Sequence, residues 1–412
     1  MKIYIKNHGD FIGEWIDKIN LEKRDLKYLN DEELEEYDYR PQYVGKGIIN
    51  FVGIIYEEGN LFVSFPKNFE VSDERKDIVL LYEVLKKFQK QNNKKSLLSD
   101  RNNYEIQSNY PFNAFENIYN YFKAHGLIIR HDNRTNKRNK GKLNWKATIQ
   151  KSNLFISKNK VTLFPYYFDN KSYESDFLNE CMIFCIDYTI NEFKYLINRE
   201  PTGLKIEDFD FFNMRKKVIS KLKNIRMTTF KNNEIYLIDN LISFFSEFNY
   251  KASFKLQHYY FHNVWEKMVA FYLNAYYDTI RDNKLVFSIE RLDKYSFNKR
   301  NFYPNSANKF HNIQPDYYYR EKNYQLIFDA KYKKNLRNID YKQLMYHVLL
   351  EEYDTFDIKN FKTYSALILP SKYDYQDIHF KMSKLFSKKH NDLIVSEVYL
   401  NIKKVMRSYL MG

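Results

Sequence analysis

The stretch from Gln314 to Lys333 reads QPDYYYREKNYQLIFDAKYK. It opens on a Pro-Asp pair, turns at Glu321-Lys322-Asn323 and returns through an apolar run that ends in Asp329-Ala330-Lys331. Two such arms around a polar turn predict an antiparallel hairpin. A strand sends successive side chains to opposite faces, so Asp329 and Lys331 point the same way, with the Ala330 carbonyl between them. Asp316, on the partner arm with twelve residues before Asp329, can reach the same point. An acid, any residue and Lys also begin at Asp25, Glu74, Asp169, Glu192, Asp282, Asp340 and Asp357, so the tripeptide alone decides nothing. Its place on an apolar strand, facing a Pro-Asp strand, is what distinguishes this one.

Around the hairpin the sequence supplies the rest of a core. LQHYYFHNVWEKMVAFYLNAYYDTI, from Leu256, predicts a long helix with Tyr260, Val264, Met268, Phe271 and Leu273 mostly inward and Glu266 beside Trp265. LVFSIERL, residues 285–292, predicts a strand. DYKQLMYHVLLEEY, from Asp340, predicts a helix carrying Gln343, and YSALILP (364–370) and LIVSEVYL (393–400) predict buried strands. Two carboxylates and a carbonyl are hard oxygen ligands of the kind Mg²⁺ (or Mn²⁺) takes. A water made acidic by such an ion and positioned by Lys331 would attack a DNA phosphodiester. Glu266 would hold a second ion or an ion-bound water, and Gln343 would contact the DNA backbone or the catalytic water.

The chain has 412 residues, with 66 Lys and Arg against 52 Asp and Glu, a formal charge of +14 that favours a polyanionic partner such as double-stranded DNA. Its length predicts two or three domains. The 38 Tyr and 34 Phe are read as codon bias more than as base-stacking sites. Cys181 and Cys185, spaced i, i+4, predict core thiols on one helical face, not a metal site. No signal-peptide core and no apolar run near 18 residues occur, so a cytoplasmic protein without membrane partners is expected. No GxxxxGK[ST] phosphate loop occurs, so this chain is expected to bind no nucleotide through it.

Taken in order, residues 44–69 predict a hairpin around Glu57-Glu58-Gly59-Asn60. A helix follows from Ser72 and another ends at Gly126. Residues 130–151 hold eight Lys or Arg and one Asp, in two strand-like pieces around a polar tip with Trp145 at the base. Arg130, Arg134, Lys137, Arg138, Lys140 and Lys142 are candidates for phosphate contacts or for a protein partner. Residues 153–168 predict a strand pair, and helices are expected near 176–197, 207–224 and 233–249. The expected organisation is α+β and multidomain: a mixed α/β N-terminal domain (1–170), a helical connector (171–250) and a nuclease domain (251–412).

Helix, strand, acidic hairpin, helix and strand in this order resemble the PD-(D/E)xK nuclease core, in which helices flank a mixed sheet. Residues 256–353 resemble McrC-like endonuclease subunits, and the whole chain resembles the LlaJI branch of restriction endonucleases. VWEKMV, QPDYYY, LIFDAKYK and YKQLMYH carry the resemblance, with FVGIIYEEGNLFVSFPKNF and GKLNWKATI in the first third. It implies an anti-phage defence nuclease that works with a separate McrB-like AAA+ GTPase, with Glu266, Asp316, Asp329, Lys331 and Gln343 as active-site positions. In many relatives a Tyr follows the Gln by four residues; here Tyr346 follows by three. The resemblance inclines the basic hairpin toward the GTPase. A free-standing repair or single-strand nuclease, and a non-catalytic DNA-binding or scaffold subunit, are the alternatives.

Overall fold

The computed structural model describes residues 2–11, 21–28, 47–57, 59–93, 104–108, 110–128, 135–136, 142–157, 160–169, 177–206, 210–248, 253–308, 310–353, 361–387, 389–390 and 392–412. The protein is of the α+β class, with several sheets of mixed topology. It divides into two compact units, one formed by 1–108 with 251–412, the other by 109–250. This partition differs from the three segments read along the sequence, and one strand explains why.

That strand belongs to the first sheet of the larger unit, built from β1 (Lys2–Asn7), β2 (Val52–Glu57), β3 (Asn60–Phe65), β4 (Tyr104–Ser108) and β5 (Ser253–His258) in the order β1-β3-β2-β5-β4. β2 and β3 form the expected hairpin, turning at Gly59 with φ +78°. β5 comes from the far part of the chain and pairs antiparallel with β2 on one side and β4 on the other. Its residues Leu256–His258 open the helix expected from sequence; they are strand instead, because both edges find backbone partners. Gly53 permits the approach, since a Cβ there would stand 2.0 Å from the Leu256 carbonyl oxygen.

After β5, α2 begins only at Phe261 and ends at Tyr276; α1 is the earlier helix Glu74–Asn93. Phe261, Val264, Trp265, Met268, Val269, Tyr272 and Leu273 form the buried stripe of α2, at the three- and four-residue spacing of one helical face. Tyr260, expected inward, lies outside the helix and is 47% exposed. Tyr277–Ile280, also expected as helix, belong to β6 (Tyr277–Arg281), which pairs with β7 (Lys284–Phe287). Asp282 and Asn283 supply the two positive φ values that a tight hairpin turn needs.

The second five-stranded sheet holds the opening stretch. β8 (Tyr317–Arg320), β9 (Tyr324–Ala330), β10 (Lys362–Ser371), β11 (Tyr375–Lys381) and β12 (Ile394–Asn401) lie in the order β8-β9-β10-β12-β11. The β8–β9 hairpin is antiparallel; β9, β10 and β12 run parallel, and β11 closes the edge antiparallel. Helix α3 (Tyr341–Glu351) crosses from β9 to the parallel β10, and α4 (Ile402–Met411) follows β12. The central strands β9 and β10 are buried on both faces, as parallel strands are. Strand β11 and helix α4 were not anticipated from the sequence.

Both sheets sit in one unit and are stitched beside the opening stretch. The Lys67 N–H donates to the Tyr332 hydroxyl at 2.9 Å, and Asn68 Nδ2 donates to the Pro370 carbonyl at 2.9 Å. Just past β9, Lys331 meets Asp329, whereas its neighbour Tyr332 meets Lys67 and His8, which follow β3 and β1.

The smaller unit contains helices Phe112–His125, Phe177–Glu192, Arg215–Thr228 and Asn232–Glu247, packed around Tyr110, Phe184, Phe244 and Phe245. Cys181 and Cys185 are buried, as expected. Strands Asn153–Ser157 and Lys160–Phe164 form the predicted pair. The second strand-like piece of the basic segment is instead largely the helix Trp145–Lys151, capped by the Asn144 side chain, and Trp145 is 59% exposed rather than buried. Arg130, Arg134, Lys137, Arg138 and Lys140 lie outside the described residues. Lys142 starts the short strand Lys142–Leu143, and its side chain also lies outside the description.

Candidate active site

Leu326, Ile327 and Phe328 are fully buried, and they carry Asp329 into the interior at 2% exposure. A carboxylate this buried must be paired. Lys331 Nζ meets Asp329 Oδ2 at 2.9 Å, the same-face geometry expected of alternate residues. Lys342 Nζ, from the first turn of α3, approaches Asp329 Oδ1 at 3.4 Å.

Asp316 stands just before β8, and its Oδ2 accepts the Ala330 N–H at 3.1 Å. The two arms of the hairpin are thus locked at the residue between Asp329 and Lys331. Burial, then the negative charges of Asp329 and Glu266, push the Asp316 carboxyl up to about 6, against the pull of the Ala330 N–H and Lys299. Glu266 is brought in by α2, which docks on this sheet through Trp265 Nε1 to the Ile368 carbonyl (3.3 Å) and through the Tyr317 hydroxyl to the Glu266 carbonyl (2.6 Å). The Glu266 side chain pairs with Lys299 Nζ, which also lies 3.7 Å from Asp316 Oδ1. Although burial works against the charge, the hydrogen bond and negative charge of Glu266, with Asp316, hold the Lys299 ammonium above the usual lysine range.

Asp340, Lys299 and Lys342 were not singled out from the sequence. Asp340 Oδ2 grips Lys331 Nζ at 2.7 Å while its Oδ1 accepts the Gln343 N–H at 2.9 Å, so one carboxylate both holds the lysine and caps α3. Lys331 draws Asp340 below the usual carboxylate range, overcoming burial. Behind it, the Asp340 N–H donates to His379 Nε2 at 2.9 Å, and His379 Nδ1 lies 2.7 Å from Glu397. This arrangement assigns the imidazole hydrogen to Nδ1. An acid just before an amphipathic helix is a legible cap signal; nothing local marks Lys299, which lies in a polar loop.

Gln343 is 1% exposed and its Nε2 donates to the Ile327 carbonyl at 2.7 Å. It ties α3 to β9. Its Oε1 is buried without a hydrogen-bond partner. Tyr346 OH donates to the Gln314 carbonyl at 3.1 Å, on the loop leading to Asp316.

Three carboxylates, Glu266, Asp316 and Asp329, thus share one electrostatic field, and each is met by a lysine. The donor chemistry fits a hard divalent cation. In the arrangement seen, ammonium groups occupy the carboxylates, and among the described residues no group of three or more His, Cys, Asp or Glu is placed to hold a metal ion. Among them, too, no helix is long and apolar enough to cross a membrane.

The profile of the LlaJI restriction endonuclease family matches residues 51–403. The chain belongs to that family. The matched span covers β2 through the start of α4, and so includes every acid and lysine of the site. A comparison with curated proteins finds no match. Among solved structures, the chain is similar to a chain of the refined half-complex from the tetradecameric assembly of Thermococcus gammatolerans McrB AAA+ hexamers with bound McrC. The TM-score is 0.30 and the identity 13%, over 96% of this chain and 89% of that one.

Proposed function

We propose that this LlaJI-family chain is the Mg²⁺- or Mn²⁺-dependent endonuclease subunit of a cytoplasmic restriction complex, with a PD-(D/E)xK core that hydrolyses phosphodiesters of double-stranded DNA. The observation that carries the reading is the meeting of Asp316, Asp329 and Lys331 at one point, locked by the Asp316 bond to the Ala330 N–H. Asp316, Asp329, Glu266 and the Ala330 carbonyl would hold the cation, which when bound polarises phosphate and acidifies water. Lys331, fixed between Asp329 and Asp340, positions the attacking water and offsets charge developing on the phosphate oxygens. Lys342, half-exposed above Asp329, meets a neighbouring phosphate. Gln343 orients α3 and through it both lysines of that side.

A separate McrB-like AAA+ GTPase is proposed as the partner, since the chain has no phosphate loop of its own. The smaller unit offers a place for it. Leu154, Phe155, Ile156, Val161 and Phe164 on the Asn153–Ser157 and Lys160–Phe164 pair are all more than half exposed, apolar surface that a partner would cover. The neighbouring basic segment at 130–151 is proposed to meet the same partner.

The decisive test is Asp329→Asn, which removes charge at nearly constant volume. With the GTPase, GTP and Mg²⁺ present, cleavage should fall by on the order of 100-fold or more while partner binding is kept. Cleavage at the native rate would rule out this site.

A further inference from the structure

Lys299 Nζ pairs with Glu266 and lies 3.7 Å from Asp316 Oδ1, two of the acids proposed to hold the cation. We infer that Lys299 is a built-in counter-ion: it occupies these carboxylates in the metal-free protein, leaves when a divalent cation enters, and then contacts a DNA phosphate. The inference rests on the proposed function above and names a regulatory and substrate-binding residue within it.

The backbone around Lys299 is fixed on both sides by the elements that carry the two acids. On one side the Phe297 N–H donates to Asn274 Oδ1 at 2.6 Å, and Asn274 belongs to α2, the helix of Glu266. On the other, Asn298 pairs with Tyr318, two residues past Asp316, through bonds of 3.0 and 3.3 Å. Phe297 is 3% exposed and wedged against Tyr277 and Phe328. Arg300, on the far side, lies over Phe302 and Tyr318. The lysine is therefore delivered between helix and strand by a clamped loop, unlike a surface lysine that meets an acid by chance.

Its own side chain is 47% exposed, whereas those of Asp316 and Glu266 are 15% and 27% exposed. The acids are sheltered and the ammonium has an open path outward on a flexible stem. An ammonium and a divalent cation repel each other and compete for the same carboxylates, so each weakens the binding of the other. Once released, the charge stands at the rim of the site, where it neutralises phosphate.

The test is calorimetric titration of the full chain with Mn²⁺ for the wild type, Lys299→Met, Lys299→Arg and Asp329→Asn, without DNA. Lys299→Met should bind Mn²⁺ about tenfold more tightly than wild type, and Lys299→Arg, whose forked guanidinium grips two carboxylates, more weakly. With Ca²⁺ replacing Mg²⁺ to prevent cutting, Lys299→Met should bind duplex DNA about tenfold less tightly than wild type, and equally without any divalent cation. Equal Mn²⁺ affinity in wild type and Lys299→Met overturns the counter-ion assignment. If wild type binds Mn²⁺ and Asp329→Asn does not, the proposed function survives that failure; if no variant binds Mn²⁺, both fall.

Discussion

Asp340 offers a test in which stability and chemistry separate within one side chain. Its Oδ1 caps α3 at the Gln343 N–H, and its Oδ2 holds Lys331 at 2.7 Å, with Asp329 as the other anchor at 2.9 Å. Asn is as good a cap as Asp, so Asp340→Asn should leave the unfolding midpoint near the native value, whereas Asp340→Ala loses about 1 kcal/mol of capping. Both variants release one of the two restraints on the Lys331 ammonium, which then follows Asp329 alone. A displacement of about 1 Å at a reacting centre can cost on the order of 100-fold in rate. Single-turnover cleavage with Mg²⁺ and the proposed GTPase partner should therefore fall about 10- to 100-fold in both variants, equivalent to roughly 1.4 to 2.8 kcal/mol of transition-state stabilisation. Native cleavage by Asp340→Asn, with its fold intact, would refute the view that Lys331 must be held from two sides.

Two further outcomes concern the frame of the site. Gly53→Ala should destabilise the larger unit by roughly 3 kcal/mol in urea unfolding, because the new Cβ meets the β5 backbone; a change below half that value would mean that β5 can shift. Acid should also weaken the fold. Burial first holds His8 down to about 3 and His258 and His347 down to about 4, from 6.5. The unfolded chain then binds more protons as pH falls below about 6.5, so stability is full above that value and is lost toward 4. By pH 5 the three histidines cost roughly 6 kcal/mol, and the raised Asp316, which gains a proton earlier in the folded state, offsets about 1. Urea midpoints at pH 7.5 and 5.0 check the sum, and an unchanged midpoint would show that these imidazoles are hydrated in the folded protein.

Local pattern made parts of the larger unit legible. The β2–β3 and β8–β9 hairpins, α3 and the strands β10 and β12 carry their signals in short windows of sequence, as does the rise of α2 from Val264 onward. The errors share a cause. Leu256–His258 and Tyr277–Ile280 flank an amphipathic helix and continue its apolar pattern, but backbone partners from residues 52–57, 104–108 and 284–287 make them strands. Tertiary pairing outweighed local periodicity at both ends of α2.

The sequence by itself pointed to the kind of candidate site: Asp329 and Lys331 spaced by strand alternation, Asp316 on the partner arm, and Glu266 on one flanking helix. The Asp329–Lys331 spacing is set by the two-residue period of a strand, which needs no partner, and a short polar turn is enough to signal the hairpin that adds Asp316. Only the tertiary structure decided the rest. It brought Lys299 onto Glu266 and Asp316, Lys342 onto Asp329 and Asp340 onto Lys331, buried Gln343, and built one unit from both ends of the chain. Charges gather where backbones converge, and that convergence depends on pairings between residues some 200 positions apart, such as Leu256 with Ile54, which no local window contains.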